Sequence, residues 1–406
     1  MNKLVSALIA LVLLMGKAKA QTPAAKAEPE FLSLSARWAD SVMNTLSPEQ
    51  RVAQLFMVAA YSNKDAKHEK EIKELISKYK IGGLIWMQGS PVKEAKLSSY
   101  FQSIATTPLL YSIDGEWGLS MRLDSTPRYP RQMTLGAIQN DSLIFKMGIQ
   151  IARECKRMGI HINFSPDADI NNNALNPVIG IRSFGEDKRS VAIKASMYMK
   201  GMQAERVMAT GKHFPGHGDT ESDSHSTLPE IRHSLARLDS LELFPFKYLI
   251  REGLASMMVA HLNIPALDTA KKTPSSLSAK VIEDLLKKQL GFNGLIFTDA
   301  LNMKGVANYY EPGKLEVKAL QAGNDVLLFS ANVPKAMEEI SKAIQAGTLS
   351  QQSIDERCRK ILRAKYWCGL DKPQQLVTRN LGKELNSRAS ADLMISAADY
   401  LYARQR

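Results

Sequence analysis

Between Lys212 and His225 the chain reads Lys-His-Phe-Pro-Gly-His-Gly-Asp-Thr-Glu-Ser-Asp-Ser-His. Three of the chain's seven histidines, three carboxylates and two glycines fall in this stretch, directly after the apolar run 207–210. Titratable groups packed this densely behind a strand-like run, with glycine punctuation, point to a site rather than a connection. The plain alternative is a polar surface loop with hydrogen-bonding histidines. Asp223 and His225 are two apart, so in an extended loop their side chains share a side. Asp223 can then hold the His225 imidazole in one tautomer and stabilise its charged form, which makes a proton-transfer pair. A metal reading competes, because His213, His217, Asp219 and His225 are all ligand types. Their spacing matches no zinc signature, and Phe-Pro-Gly between the first two histidines disfavours a ligating helix. No metal and no cofactor is expected.

Other chemistry-bearing residues also follow apolar runs. Asp114-Gly115-Glu116 follows the run 108–113, Asp167 and Asp169 follow 161–165, and Lys212-His213 follows 207–210. His261 ends the run 256–260, and Asp299 ends 295–298. With the runs 55–58, 83–87 and 325–329 there are eight. Most are separated by segments whose apolar residues recur every three or four positions: 69–80, 92–104, 142–158, 189–205, 234–252, 278–290 and 334–346. Continuous apolar runs alternating with helices predict a (β/α)8 TIM-type barrel with a short helical C-terminal tail. The first run is the weakest, since it continues the helical pattern begun at Pro48. A doubly wound open sheet is the structural alternative.

In a barrel all strand C-termini open at one mouth. Asp299 alone reads equally well as a helix N-cap, but five polar endings in a row do not. They gather acids, a lysine and histidines at one place, with no phosphate loop and no GxSxG elbow. Such a mouth suits a polyhydroxylated ligand held by charge-assisted hydrogen bonds. Hydrolysis of a glycosidic bond needs a carboxylate that attacks or activates water, and an acid for the leaving oxygen. Asp299 can be the first. No second carboxylate presents itself as the acid, and the Asp223–His225 pair offers another route.

Bulk properties set the context. Residues 1–20 read as a signal peptide: Lys3, an apolar run of twelve from Leu4 to Met15, then Ala18-Lys19-Ala20 ahead of a cut before Gln21. Twelve residues are too few to span a bilayer, which takes about 20. An uncleaved anchor is the alternative. The protein is therefore expected to be exported, periplasmic or extracellular, with no membrane span after cleavage. Residues 21–45 read as a leader and first helix, 46–370 as the barrel and 371–406 as a helical tail or a truncated linker. Ser47-Pro48-Glu49-Gln50 has the form of a capped helix start. The formal charge is +12; without Lys3, Lys17 and Lys19 it falls to about +9. No Lys/Arg block suggests nucleic acid. Cys155, Cys358 and Cys368 form no metal motif and no disulfide framework, and read as buried small hydrophobes.

The stretch Lys212–His225 resembles the signature of glycoside hydrolase family 3, in its β-N-acetylglucosaminidase subgroup. Further similarity falls in the family's order. Asp114-Gly115-Glu116-Trp117-Gly118 resembles its Asp-x-Glu turn, with Gly115 and Trp117 as departures. Asn163 to Ile170, Asn176 to Gly185, and Phe297-Thr298-Asp299-Ala300-Leu301-Asn302-Met303 resemble its fourth-strand, Asn-Pro/Arg-Ser-Phe-Gly and nucleophile segments.

This resemblance implies a retaining exo-β-N-acetylglucosaminidase acting on peptidoglycan fragments or related glycans. Asp299 is the implied nucleophile, and His225 the acid/base oriented by Asp223. Lys212, His213, Arg182 and Asp114 are implied to hold the terminal sugar, with Arg122 and Met258 lining the same pocket and His217 bracing the Gly216–Gly218 turn. The expected partner is an N-acetylglucosamine-terminated carbohydrate, and the expected state a monomer. A β-N-acetylglucosaminide phosphorylase or a β-glucosidase are the enzymatic alternatives, and an inactive glycan-binding relative the non-enzymatic one.

Overall fold

Apolar runs flanked by amphipathic helices are covered on both faces, and here they form eight parallel strands. These are β1 (Phe56–Ala60), β2 (Gly83–Trp86), β3 (Leu110–Ile113), β4 (Ile162–Asn163), β5 (Met208–Phe214), β6 (Ser256–Val259), β7 (Leu295–Thr298) and β8 (Leu327–Leu328). The computed structural model from which they are taken describes residues 27–221, 227–372 and 375–402. Strands pair in chain order from β1 to β7, and β8 returns to β1 with Leu327 opposite Phe56. A bridge between Phe297 and Val326 closes the circle, supported by the Thr298 N–H donating to the Val326 carbonyl at 3.1 Å. The expected barrel is thus the observed one. Every residue of β2, β3, β5, β6 and β7 is buried, which is why those runs lack the alternation of a half-solvated strand.

Helices form where the spacing predicts them. The helix Asp141–Arg157 shows the local reasons. Asn140 caps it by accepting from the Ser142 N–H, Asp141 opens its first turn and Lys156 and Arg157 close its last. Its buried face runs through Leu143, Met147, Ile151 and Cys155. The capping box at Ser47 is present in both directions: Ser47 N–H to Gln50 Oε1 at 2.9 Å and Gln50 N–H to Ser47 Oγ at 3.3 Å. It opens a short helix, Pro48–Ala53, that is over before β1 begins at Phe56, so the first run is a strand and not a helical continuation.

Some expectations on element bounds need correction. Segment 234–252 is two helices, Leu235–Ser240 and Phe244–Arg251. Pro245 has no N–H to continue the first and is suited to the opening turn of the second. Lys280–Gln289 winds with wider, π-type turns. Short helices Lys304–Ala307 and Lys314–Ala322 lie between β7 and β8, where the sequence pattern suggested none. Lys212 and His213, read as lying just past their strand, are inside β5.

Beyond the barrel, helices Leu381–Leu385 and Arg388–Tyr402 form the tail, with a break at Asn386 and Ser387 in the stretch that reads as one helix start. Leu381, Leu385 and Ala397 are buried in the same core as the helix Asp141–Arg157. The Ser390 hydroxyl donates to Glu154 Oε1 at 2.8 Å. All three cysteines are free, with Cys155 and Cys358 buried and Cys368 half-buried. Among the described residues no helix is long and apolar enough to cross a membrane.

Candidate active site

A cleft of about 370 Å³ opens at the C-terminal mouth of the barrel. Its walls include Asp114, Arg122, Arg182, Lys212, His213, Met258 and Asp299. The seven described residues that the resemblance assigns to attack or sugar contact therefore line one cavity, while Asp167, Asp169 and His261 stand behind its walls. Asp223 and His225 lie outside the described residues. A second cavity, about 330 Å³, opens at the opposite end around His161, Arg206 and Trp367, far from these groups.

Lys212 and His213 are consecutive, and in a regular strand their side chains would face opposite sides. Both line the cleft because the β5–β6 pairing shifts register between Gly211 and Phe214. An irregularity of this kind re-aims side chains at the end of a strand. Lys212 Nζ reaches Asp114 Oδ1 at 3.0 Å and Glu116 Oε1 at 2.8 Å. Arg182 forks onto Glu116, with Nε at 3.1 Å from Oε2 and Nη2 at 2.8 Å from Oε1. Arg122 Nη2 takes the other Asp114 oxygen at 2.7 Å.

The wall is an ion network of two carboxylates and three cations. Burial alone would raise the Asp114 and Glu116 carboxyls. The Lys212 and Arg122 charges outweigh it at Asp114 and hold that group well below the usual carboxylate range. Arg182 and Lys212 hold Glu116 at about 2. Burial would likewise lower the Lys212 ammonium, but Asp114 and Glu116 raise it above its ordinary value. All these groups are charged at neutral pH.

His213 sits at the centre of a second network. Its Nδ1 is 2.7 Å from Asp169 Oδ2 and its Nε2 is 3.1 Å from Arg182 Nη2. A guanidinium can only donate, so Nε2 accepts and the ring proton sits on Nδ1, facing Asp169. Burial first, then the Arg182 charge, lower His213 to about 4, so the ring is neutral. Both nitrogens are committed to protein, and the ring aims Arg182 into the cleft. Asp169 also accepts the backbone N–H groups of His213 at 3.1 Å and His217 at 2.6 Å. Burial and the Asp169 charge push the neighbouring Asp167 carboxyl well above its ordinary value.

His217 braces the turn after β5, as its position between two glycines suggests. Its ring meets Thr220 Oγ1 at 2.9 Å and stands edge-on to His213. A Cβ on Gly218 would lie 1.7 Å from the Ile170 carbonyl, so only glycine fits there. Asn176 donates from Nδ2 to the carbonyls of His217 at 2.8 Å and Gly218 at 3.0 Å. The loop bearing Arg182 and the turn after β5 are thereby one unit.

Across the cleft, Asp299 continues directly from β7, its N–H donating to the Val259 carbonyl at 2.9 Å. One carboxylate oxygen accepts from the Ala300 N–H at 2.8 Å. No helix starts at this residue; the next, Lys304–Ala307, is preceded by Met303, so Asp299 is not an N-cap. His261 backs it: Nε2 donates to the Ala300 carbonyl at 3.1 Å and Nδ1 accepts from Ser276 Oγ at 2.6 Å.

Sequence reasoning gave no role to Glu116, Asp169 or Asn176, which hold Lys212, Arg182, His213 and the turn in place. Their signals were present as Asp-x-Glu after β3, Asp-x-Asp after β4 and the Asn-Pro of the Arg182 loop. Met87, Met121 and Phe329 add an apolar lining that no pattern marked. The metal reading rests on His213, His217, Asp219 and His225, the last outside the described residues, whereas the structure gathers Asp167, Asp169 and His213 with ligand atoms within 4.8 Å of one another. His213 turns its protonated nitrogen to that cluster, and a metal ligand must offer a lone pair.

The model of the glycosyl hydrolase family 3 N-terminal domain matches residues 47–364. The chain belongs to this family. It is 30% identical over 360 residues to β-hexosaminidase A of Pseudoalteromonas piscicida, a match covering 80% of this chain and 60% of that protein. It is 33% identical over 275 residues to a β-hexosaminidase of Nitrosomonas eutropha, covering 65% of this chain and 78% of the relative. Among solved structures, a family 3 β-N-acetylglucosaminidase from Paenibacillus sp. str. FPU-7 superposes with a TM-score of 0.79 at 34% identity, covering 87% of this chain and 69% of that one. The family 3 chain thus spans about three-fifths of the Pseudoalteromonas relative's length.

Proposed function

We propose that this chain is a retaining exo-β-N-acetylglucosaminidase, exported from the cell, that removes terminal N-acetylglucosamine from peptidoglycan fragments or related glycans. The observation that carries the reading is the cleft: seven residues from distant parts of the sequence, all expected at a sugar site, line one cavity of about 370 Å³. Its similarity to proteins named β-hexosaminidase supports the N-acetylglucosamine preference.

In this mechanism the Asp299 carboxylate attacks the anomeric carbon. The bond to the leaving oxygen breaks as His225, oriented by Asp223, gives that oxygen a proton. The resulting ester between Asp299 and the sugar is then opened by water, which surrenders its proton to His225 as it attacks the same carbon. Asp299 returns as a carboxylate and the product keeps its β configuration. Asp114, Lys212 and Arg182 hold the sugar hydroxyls, with Arg122 fixing Asp114, His213 fixing Arg182, and Met258 against the apolar side of the ring.

The test compares an aryl N-acetylglucosaminide with the aryl glucoside, with and without inorganic phosphate, on the parent and Asp299→Ala. Turnover of the first substrate, unaffected by phosphate and abolished in the folded Asp299→Ala, is the expected result. Residual turnover near the parent level, or a preference for the glucoside, overturns the assignment. A phosphorylated product would make the enzyme a phosphorylase.

A further inference from the structure

The stretch carrying Asp223 and His225 leaves β5 at Phe214 and reaches the helix Leu235–Ser240, and its two limbs are joined directly. His233 Nε2 lies 2.7 Å from Asp219 Oδ2, a contact between residues 14 apart that flank the segment on both sides. Each limb is also pinned to a different part of the barrel rim. On the outgoing side, Asn176 Nδ2 donates to Thr220 Oγ1 at 3.2 Å. On the returning side, the Ile231 N–H donates to the Asn263 carbonyl at 2.9 Å and the Asn263 N–H to the Pro229 carbonyl at 2.8 Å.

We propose that the Asp219–His233 pair, backed by Arg237, is a positioning device that sets where the acid/base residue meets the leaving group. This rests on the reading of His225 as that residue. Arg237 Nη2 is 3.5 Å from Asp219 Oδ2 and 3.1 Å from Glu242 Oε1, and Glu242 is buried against Gly216. The pair is therefore continuous with the turn that aims Lys212 and His213. Asp219, His233 and Glu242 could also be read as three metal ligands. The Arg237 guanidinium already supplies the positive charge between the two carboxylates, so the cluster is an ion-pair hub. A contact between residues 14 apart closes the chain between them into a short loop, and the entropic cost of holding a loop grows with its length. A small misplacement of a proton donor is costly in rate while leaving sugar binding untouched.

The experiment uses the full chain and two substrates: an N-acetylglucosamine disaccharide, whose leaving alcohol needs protonation, and an activated aryl N-acetylglucosaminide, whose leaving group does not. His233→Ala, Asp219→Ala, the double variant and His233→Gln are compared with the parent and with His225→Ala. The expected result is a loss of roughly tenfold in kcat on the disaccharide for each single alanine variant. Disaccharide KM and aryl kcat/KM, which reports the step that needs no proton for this leaving group, stay near the parent, the double variant is no worse than either single, and His233→Gln, which can still donate to Asp219, recovers most of the loss. Equal losses on both substrates, additive losses, an unchanged disaccharide rate, or a folded His233→Gln without recovery would each overturn it. If His225→Ala alone shows the selective loss, the acid assignment stands and the positioning role fails. If His225→Ala lowers kcat/KM equally on both substrates, the acid assignment fails and the positioning role falls with it.

Discussion

Glu116 is wholly buried, with Arg182 Nη2 and Lys212 Nζ each 2.8 Å from Oε1. Replacing it with glutamine keeps the shape and removes the charge. Two cations then face each other across an amide whose NH2 can only donate, while Asp114 is left to balance Lys212, Arg122 and Arg182. Two routes give the size of the effect. Removing one partner from a buried ion pair costs about 3–5 kcal/mol. The Glu116 carboxyl is held at about 2 against an ordinary 4.5, and a difference of that size is worth about 3 kcal/mol. The folded-state value is depressed, so this stabilisation is complete above pH 4.5 and is lost as the pH falls towards 2. Urea denaturation should therefore show Glu116→Gln less stable than the parent by about 3 kcal/mol at pH 7, with the gap shrinking to about 1.5 kcal/mol at pH 3. The variant should also lose kcat/KM on an aryl N-acetylglucosaminide, since Lys212 and Arg182 lose their shared anchor. Parent-like stability at pH 7, or a gap that does not shrink in acid, would show that Glu116 does not anchor the wall.

Glu154 gives the opposite sign. Burial raises its carboxyl to about 7 despite hydrogen bonds from Tyr129 and Ser390. Its contribution is complete below pH 4.5 and is lost as the pH rises through 7, so Glu154→Gln should match the parent near pH 4.5 and exceed it by about 3 kcal/mol in urea at pH 8. A variant no more stable than the parent at pH 8 refutes this. Gly218→Ala places a methyl 1.7 Å from the Ile170 carbonyl. It should lower the urea midpoint by the equivalent of about 1–3 kcal/mol and reduce kcat at least as strongly as it affects KM, because the turn moves with the residues it aims; an unchanged midpoint would mean the turn relaxes freely.

The barrel was legible in the sequence because burial on both faces leaves continuous apolar runs and the intervening helices keep their three-to-four spacing. Strand ends were legible for the same reason, and with them Asp114, Lys212, His213 and Asp299. What the sequence withheld has physical causes. The register shift in β5 breaks the two-residue period, so no pattern shows that adjacent Lys212 and His213 both face the cleft. Pairing among charged residues is decided in space: Arg182 meets Glu116 across 66 positions, and no spacing rule reaches that far. The tautomer of His213 depends on which of its nitrogens meets Arg182, and only coordinates show that.

The charges at the mouth explain how one wall can grip a neutral sugar on a chain of formal charge +12. Lys212, Arg122 and Arg182 face the Asp114 and Glu116 carboxylates, and the proposed nucleophile Asp299 lines the same cleft. His213 is neutral and adds no charge to the wall. Sugar hydroxyls therefore enter a preorganised field in which donors and acceptors are already fixed by one another, and binding strands no buried charge. Asp299, the proposed nucleophile, shares this rigidity, since it continues directly from a barrel strand and its next peptide is backed by His261. In the proposed mechanism Asp299 continues from β7 and the acid/base pair follows β5, so a substitution in the second support should spare kcat/KM on an activated aryl substrate, whose leaving group needs no proton, whereas loss of Asp299 should not.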